Sequence, residues 1–182
     1  MTVDESYFEV TWQSTGDATR VASPVDQDRS LVHRFRRPGT IDDQLDLLWQ
    51  WPNEAHLPTD IVVVANGIRV VSPRLRQIFD EHATATDIIQ WFPATVVLPS
   101  GQRLPHWVPH FPQPDDLVDP DHSTFGPGGL PIRYALSREK LRTHAVTVRP
   151  NTVDIYIVSQ LVAEAIQIAN LQGVQVTPVR VT

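Results

Sequence analysis

The residues best equipped for chemistry lie between positions 105 and 122, in the run P-H-W-V-P-H-F-P-Q-P-D-D-L-V-D-P-D-H. His106, His110, Asp115, Asp116, Asp119, Asp121 and His122 offer the imidazole nitrogens and carboxylate oxygens that hold a divalent metal, and a metal-dependent hydrolase is the enzyme such a set would serve. The spacing argues against it. His106 and His110 stand four apart, as two ligands on one helical face would, but Pro105, Pro109 and Pro112 forbid a helix there. No His-Glu-x-x-His, EF-hand or carboxylate-triad pattern is present. An acidic loop beside aromatic-rich strands is the plainer reading, and no metal or other cofactor is expected.

Nucleophilic chemistry has less support. Ser72 and Ser159 follow strand-like runs, yet each is better explained as a helix cap whose hydroxyl accepts a free backbone N–H. The turn F-G-P-G-G-L at 125–130 lacks the Lys-Ser/Thr of a P-loop and the helix start of a dinucleotide fingerprint. Asp80 and Glu81 read as the solvated face of a helix. With no cysteine, disulfides, thiolate sites and a cysteine nucleophile are excluded. The chain reads as a binding protein, not an enzyme. Aromatic anchors dominate protein contacts, so Trp51 beside Asp42, Asp43 and Asp46 forms one expected contact patch. Trp107, Asp115, Asp116 and Asp119 form a second, while Trp49 and Trp91 are expected in the core.

The elements that must carry these residues are clearest near the end of the chain. Ile155 to Val158 is a short β-forming run, Ser159 is placed to cap, and Leu161, Val162, Ala165, Ile166, Ile168 and Ala169 recur at helical spacing. Gly173 suits the left-handed residue past a helix, and Val174 and Val176 open a second strand. The same β-α-β pattern occurs over 68–97: Val70 and Val71, then Ser72, then Pro73 at the first helical position, then Leu75, Ile78, Phe79 and His82 on one face. The two units form a pseudo-repeat. Elsewhere the pattern predicts a strand over 6–13, a loop over 14–29, a short strand at Leu31–Phe35, and a helix after Thr40 with Ile41, Leu45, Leu48 and Trp49 on one face. A strand at 60–65, a tight turn at Asn66-Gly67, a hairpin at 98–104 and short strands near 132–136 and 145–148 complete it. The expected fold class is α+β, a mixed sheet with two Ser-capped helices from the β-α-β pseudo-repeat.

At 182 residues, 41% hydrophobic and 20% charged, one domain over 1–182 is expected, with an acidic part at 1–60 and the rest at 61–182. The net charge of −6 lies in the first third, where eleven acids face five arginines; beyond it ten face ten. That balance disfavours nucleic acid and favours a basic protein partner. No long apolar run or basic-then-apolar start occurs, so a cytoplasmic protein without a membrane partner is expected.

The closing segment, I-V-S-Q-L-V-A-E-A-I-Q-I-A-N-L-Q-G-V-Q-V-T-P-V, resembles the C-terminal signature of immunity protein family eleven of bacterial polymorphic toxin systems, first filed as a domain of unknown function. Ser159, Leu161, Leu171, Gly173, Val174, Pro178 and Val179 fall on that pattern, with Val176 where an aromatic is usual. V-V-S-P-R-L-R-Q-I-F at 70–79 and F-P-Q-P-D-D-L-V-D-P-D-H-S at 111–123 are also similar, so the likeness spans about 60–182 and is weak over 1–60. The resemblance implies a non-enzymatic cytoplasmic protein that binds a cognate toxin domain and blocks it. The matched residues look structural and carry over no catalytic site. An adaptor that carries an effector without inhibiting it is the other binding-protein reading.

Overall fold

Apolar residues alternating with polar ones build sheets, and the described residues form two large ones and a small ribbon. A computed structural model describes residues 6–13, 21–25, 31–114, 116–129, 131–150 and 152–182. In chain order the elements are β1 (Tyr7–Trp12), β2 (Val21–Pro24), α1 (Leu31–Phe35), β3 (Leu47–Gln50), β4 (Ile61–Val64), β5 (Arg69–Val71), α2 (Pro73–His82), β6 (Gln90–Val97) and β7 (Arg103–His110). There follow β8 (Thr124–Phe125), β9 (Pro131–Arg133), α3 (Arg138–Leu141), β10 (Val146–Val148), β11 (Tyr156–Ser159), α4 (Gln160–Ile168) and β12 (Val174–Pro178). The architecture is α+β. A closed barrel runs β2-β3-β6-β7-β5-β4, an open sheet runs β10-β11-β1-β12, and β8 and β9 form a small ribbon.

Both expected β-α-β units are present, as β5–α2–β6 and β11–α4–β12. Each is split by a third strand. β7 lies antiparallel between β5 and β6, and β1 lies antiparallel between β11 and β12. The pseudo-repeat therefore shares a topology, but one copy belongs to the barrel and the other to the open sheet. Helices α2 and α4 pack together between them. Ser72 caps as expected, accepting from Leu75 N at 3.2 Å, with Pro73 in the first turn. Ser159 stands at the N-cap of α4 but makes no side-chain cap bond; it is also the last residue of β11, paired with Tyr7.

Four local expectations change. The loop expected over 14–29 holds β2, because Val21 and Ala22 pair with Val63 and Val64 of β4, and Ser23 and Pro24 with Gln50 and Trp49 of β3; the rest of that stretch, apart from Val25, lies outside the described residues. Residues 41–51 hold β3 instead of a helix, because parallel pairing of Leu47–Gln50 with Ala94–Val97 gives their backbone partners across the barrel. Leu31–Phe35 is a short helix instead of a strand; Leu31 and Phe35, four apart, both turn into the barrel, where Phe35 meets Phe92 edge-on at 5.3 Å. On α4, Val162, Ala163 and Ile166 are buried, whereas Leu161 and Ile168 are 70% and 86% exposed, so the helix is rotated from the stripe its sequence predicts.

Inside the barrel pack Val62 and Val64 of β4, Val70 of β5, Phe92, Ala94 and Val96 of β6, and Val108 of β7. Ile61 and Val71 face outward into a second core with Leu75, Ile78 and Phe79 of α2, Val162, Ala163 and Ile166 of α4, and Val10, Tyr156 and Val158 of the sheet. Tyr7 and Ile157 emerge on the far side of that sheet against Leu117, Leu136 and Leu141. The prolines of β6 and β7 sit where a ladder bond is dispensable. Pro93 precedes the first residue paired with β3, and β7 meets β5 only at Trp107.

Trp49 and Trp51 are both sealed in the barrel, at 0% and 1% exposure. The Trp51 indole donates to His56 O at 2.7 Å, whereas Trp49 Nε1 has no partner among the described residues. Both variants to phenylalanine leave similar space, but only one strands a carbonyl. Trp51→Phe is therefore expected to cost about 1–2 kcal/mol more than Trp49→Phe in urea unfolding, since an orphaned donor is itself a penalty that Phe removes. Equal losses would contradict this.

Candidate functional site

A helix over a β-hairpin leaves a groove wherever large side chains on the outer strand face hold the two apart. The register pairs Pro93 with Trp107 and Trp91 with Pro109, so Trp91 and Trp107 stand on the same outer face of the barrel wall. Arg76 of α2 reaches over both, 3.6 Å from the Trp107 ring centre and 5.4 Å from that of Trp91. Asp80, one helical turn on, accepts Arg76 Nε at 3.2 Å on one oxygen and Trp91 Nε1 at 2.7 Å on the other. Pro73, Arg76, Gln77, Asp80, Glu81 and Trp107 line an open groove of about 360 Å³ beside this stack. Trp107 is half-buried and borders the groove as well as the second core.

The other expected contact residues separate. Asp42, Asp43 and Asp46 are exposed on the segment leading into β3, with Asp43 paired to Arg34. Trp51 does not join them, because β3 carries it into the barrel. Asp115 lies outside the described residues. Asp116 is 83% exposed, with Lys140 Nζ at 3.4 Å. Asp119 has another task. It accepts Thr182 Oγ1 at 2.6 Å, the amides of Asp121 and His122 at 3.0 and 3.2 Å, and His122 Nδ1 at 3.0 Å. The Thr182 hydroxyl, with the His122 ring and the two amides, outweighs burial and holds the Asp119 carboxyl down at about 2.

A depressed carboxyl stabilises the fold above its unfolded value near 3.9, and that contribution fades as pH falls through about 2. Carboxyl carbon shifts in acid titration should therefore show Asp119 titrating near 2, and Thr182→Val should move it upward. Titration near 3.9 in the parent would disprove the linkage.

The residues of the sequence's metal-like run lie in two separate places. His106 and His110 share the inward parity of Val108 on β7. His110 is 2% exposed, its ring nitrogens 3.2 Å from Phe35 O and 2.8 Å from Gly39 O. His106 has Nδ1 3.3 Å from Leu104 O, and burial pushes its imidazole below the usual range. Asp116, Asp119, Asp121 and His122 belong to the loop over the far face of the open sheet. Among the described residues no group of three or more His, Cys, Asp or Glu is arranged to hold a metal. No helix of the described residues is long and apolar enough to cross a membrane.

Two further polar clusters have the ingredients of acid–base chemistry. Asp87 accepts His144 Nδ1 at 2.8 Å, with amides of Thr84, Ala145 and Val146 at 2.8–3.1 Å. Burial alone would raise its carboxyl, but these bonds hold it below the usual range, so it acts as a staple between the α2–β6 connection and β10. The Tyr134 hydroxyl donates to Glu9, and Arg149 Nη1 lies 3.3 Å from each. Burial and the Glu9 carboxylate push Tyr134 up to about 12, leaving it a weak acid at neutral pH.

A family model described as Immunity protein family (Imm11) matches residues 8–181. This chain belongs to the Imm11 immunity protein family. Comparison with curated proteins finds no match. The Imm11 match begins in β1, so it takes in most of the first third, where the sequence resemblance is weak. β1 is the strand inserted between β11 and β12, and the first third also supplies β2 and β3 to the barrel. The signature residues of this Imm11 protein divide: Ser159 and Leu171 are buried and Gly173 holds φ +70 against Thr59, whereas Leu161 and Pro178 are exposed. Arg76 and Asp80 of the groove, and Trp91 in the stack beside it, are not among the expected contacts. An Arg and Asp four apart is a common solvated pair, and only the hairpin register brings Trp91 beside Trp107.

Proposed function

We propose that this immunity protein acts in the cytoplasm by stoichiometric occlusion, binding a cognate toxin domain and covering its active site or the surface where its substrate docks. It makes and breaks no bonds itself. The match to the Imm11 model over residues 8–181 carries the reading. The exposed carboxylates Asp42, Asp43, Asp46 and Asp116 would speed encounter with a basic toxin, and Trp107 would slow dissociation. Asp119 supports the second patch by ordering its loop.

Co-expression with the toxin domain encoded beside this chain's gene tests the proposal. Protected growth, together with a one-to-one complex from purified components, is the expected result. Undiminished killing when the protein is abundant would overturn it. Improved solubility or export of the toxin domain without protection would identify an adaptor instead.

A further inference from the structure

We propose that the groove beside α2 seats a lysine or arginine side chain projected by the toxin domain. The inference rests on the neutralisation reading and gives its contact surface a place and a charge. Pro73 and Trp107, one indole face of which Arg76 covers, form the groove's apolar wall, and Gln77, Asp80 and Glu81 its polar rim. A long alkyl stem lies well on such a wall while its charged head stays at the rim.

The charge of the rim favours a cation. One guanidinium, Arg76, lines the groove with two carboxylates, Asp80 and Glu81. Asp80 already neutralises Arg76, through the ion pair at 3.2 Å. Glu81 is left over: its bond among the described residues comes from the neutral Gln77 amide at 2.7 Å. An acidic side chain entering here would meet an unmatched carboxylate, whereas a basic one would complete the pairing. The chain as a whole carries −6, so long-range attraction acts in the same sense.

Rigidity favours the same surface. Arg76 is stacked on two indoles and tied to Asp80, and Asp80 is tied in turn to Trp91. These long side chains have given up their rotamer freedom in the free protein, so binding forfeits little more. Tryptophan and arginine are also the residue types that carry most interface energy.

Two experiments on the full chain test the proposal. In the first, ¹⁵N-labelled protein is titrated with hexa-arginine and, separately, hexa-glutamate. Saturable shifts of the Trp107 indole N–H and the Glu81 amide with hexa-arginine alone are expected. Shifts confined to the 42–46 segment, or equal shifts with both peptides, would overturn the assignment.

In the second, the affinity for the adjacent-gene toxin domain is compared among variants whose melting temperatures match the parent. Glu81→Lys should weaken binding about tenfold or more, and Trp107→Ala about 30-fold. Glu139→Lys changes net charge equally on α3 and should stay within about twofold. If Trp107→Ala disturbs the core it borders, Glu81→Lys still decides, since Glu81 is exposed. Equal losses in the Glu81 and Glu139 variants would reduce the effect to long-range charge and overturn the proposal. Parent-like affinity in Glu81→Lys, with the parent still protecting cells, would remove the groove and leave neutralisation standing. A parent that neither binds nor protects would remove both.

Discussion

Asp60→Ala is expected to lose about 3–4 kcal/mol of folding stability, seen as a lower urea midpoint at unchanged m-value. The Asp60 carboxylate is 7% exposed and divides its two oxygens between distant segments. Oδ1 accepts the Ser72 hydroxyl at 2.5 Å, and Oδ2 accepts the Gln172 amide at 2.7 Å, with Arg74 Nη1 3.8 Å away. The backbone of the same residue bonds to both segments again, Asp60 N to Gln172 O at 2.8 Å and Ser72 N to Asp60 O at 2.9 Å. Removing the side chain leaves the part-buried Gln172 amide without its acceptor and the cap of α2 without its anchor, each worth about 1–3 kcal/mol. Asp60→Asn keeps one acceptor but turns a second donor toward an existing one, so roughly half the loss should return. A midpoint unchanged in Asp60→Ala would show that the carboxylate's desolvation cancels its bonds.

Gly173→Ala should cost about 3 kcal/mol, for a different reason. Gly173 has φ +70, a left-handed conformation that an L side chain takes at about 1–2 kcal/mol. A Cβ there would also lie 2.6 Å from Thr59 Cβ and 2.8 Å from its Cγ2 and Oγ1, and such overpacking adds about 1–3 kcal/mol. Thr59 is poorly placed to yield, since its hydroxyl donates to Ile61 O at 2.7 Å. The pair Thr59→Gly and Gly173→Ala should therefore couple by about 1 kcal/mol or more, the double variant being less damaged than the sum. Additive losses would mean that backbone strain alone sets the cost.

Both sites belong to one junction. Thr59 and Asp60 lead into β4 of the barrel, Gln172 and Gly173 lead into β12 of the open sheet, and Gln13 N to Gly173 O at 2.9 Å adds the end of β1. The groove depends on this junction indirectly, because Ser72, which starts the helix carrying Arg76 and Asp80, is held by Asp60.

The amino-acid sequence by itself determined the elements whose evidence lies within some thirty residues. Both β-α-β units, the Ser72 cap, the Pro73 start and the Asn66-Gly67 turn follow from local periodicity and backbone preference. The closing segment also carried the family, through residues such as Leu171 and Gly173 that proved to shape the fold. Tertiary structure decided the rest. Leu31–Phe35 and 41–51 are short segments whose local preference differs by tenths of a kcal/mol per residue, too little to resist partners far along the chain. Pairing of β3 with β6 and insertion of Phe35 beside Phe92 settled them. The same closure drew Trp51 inward and left Trp91 and Trp107 outside under Arg76, because in a barrel the register of distant strands, and no single residue, fixes which side chains face water.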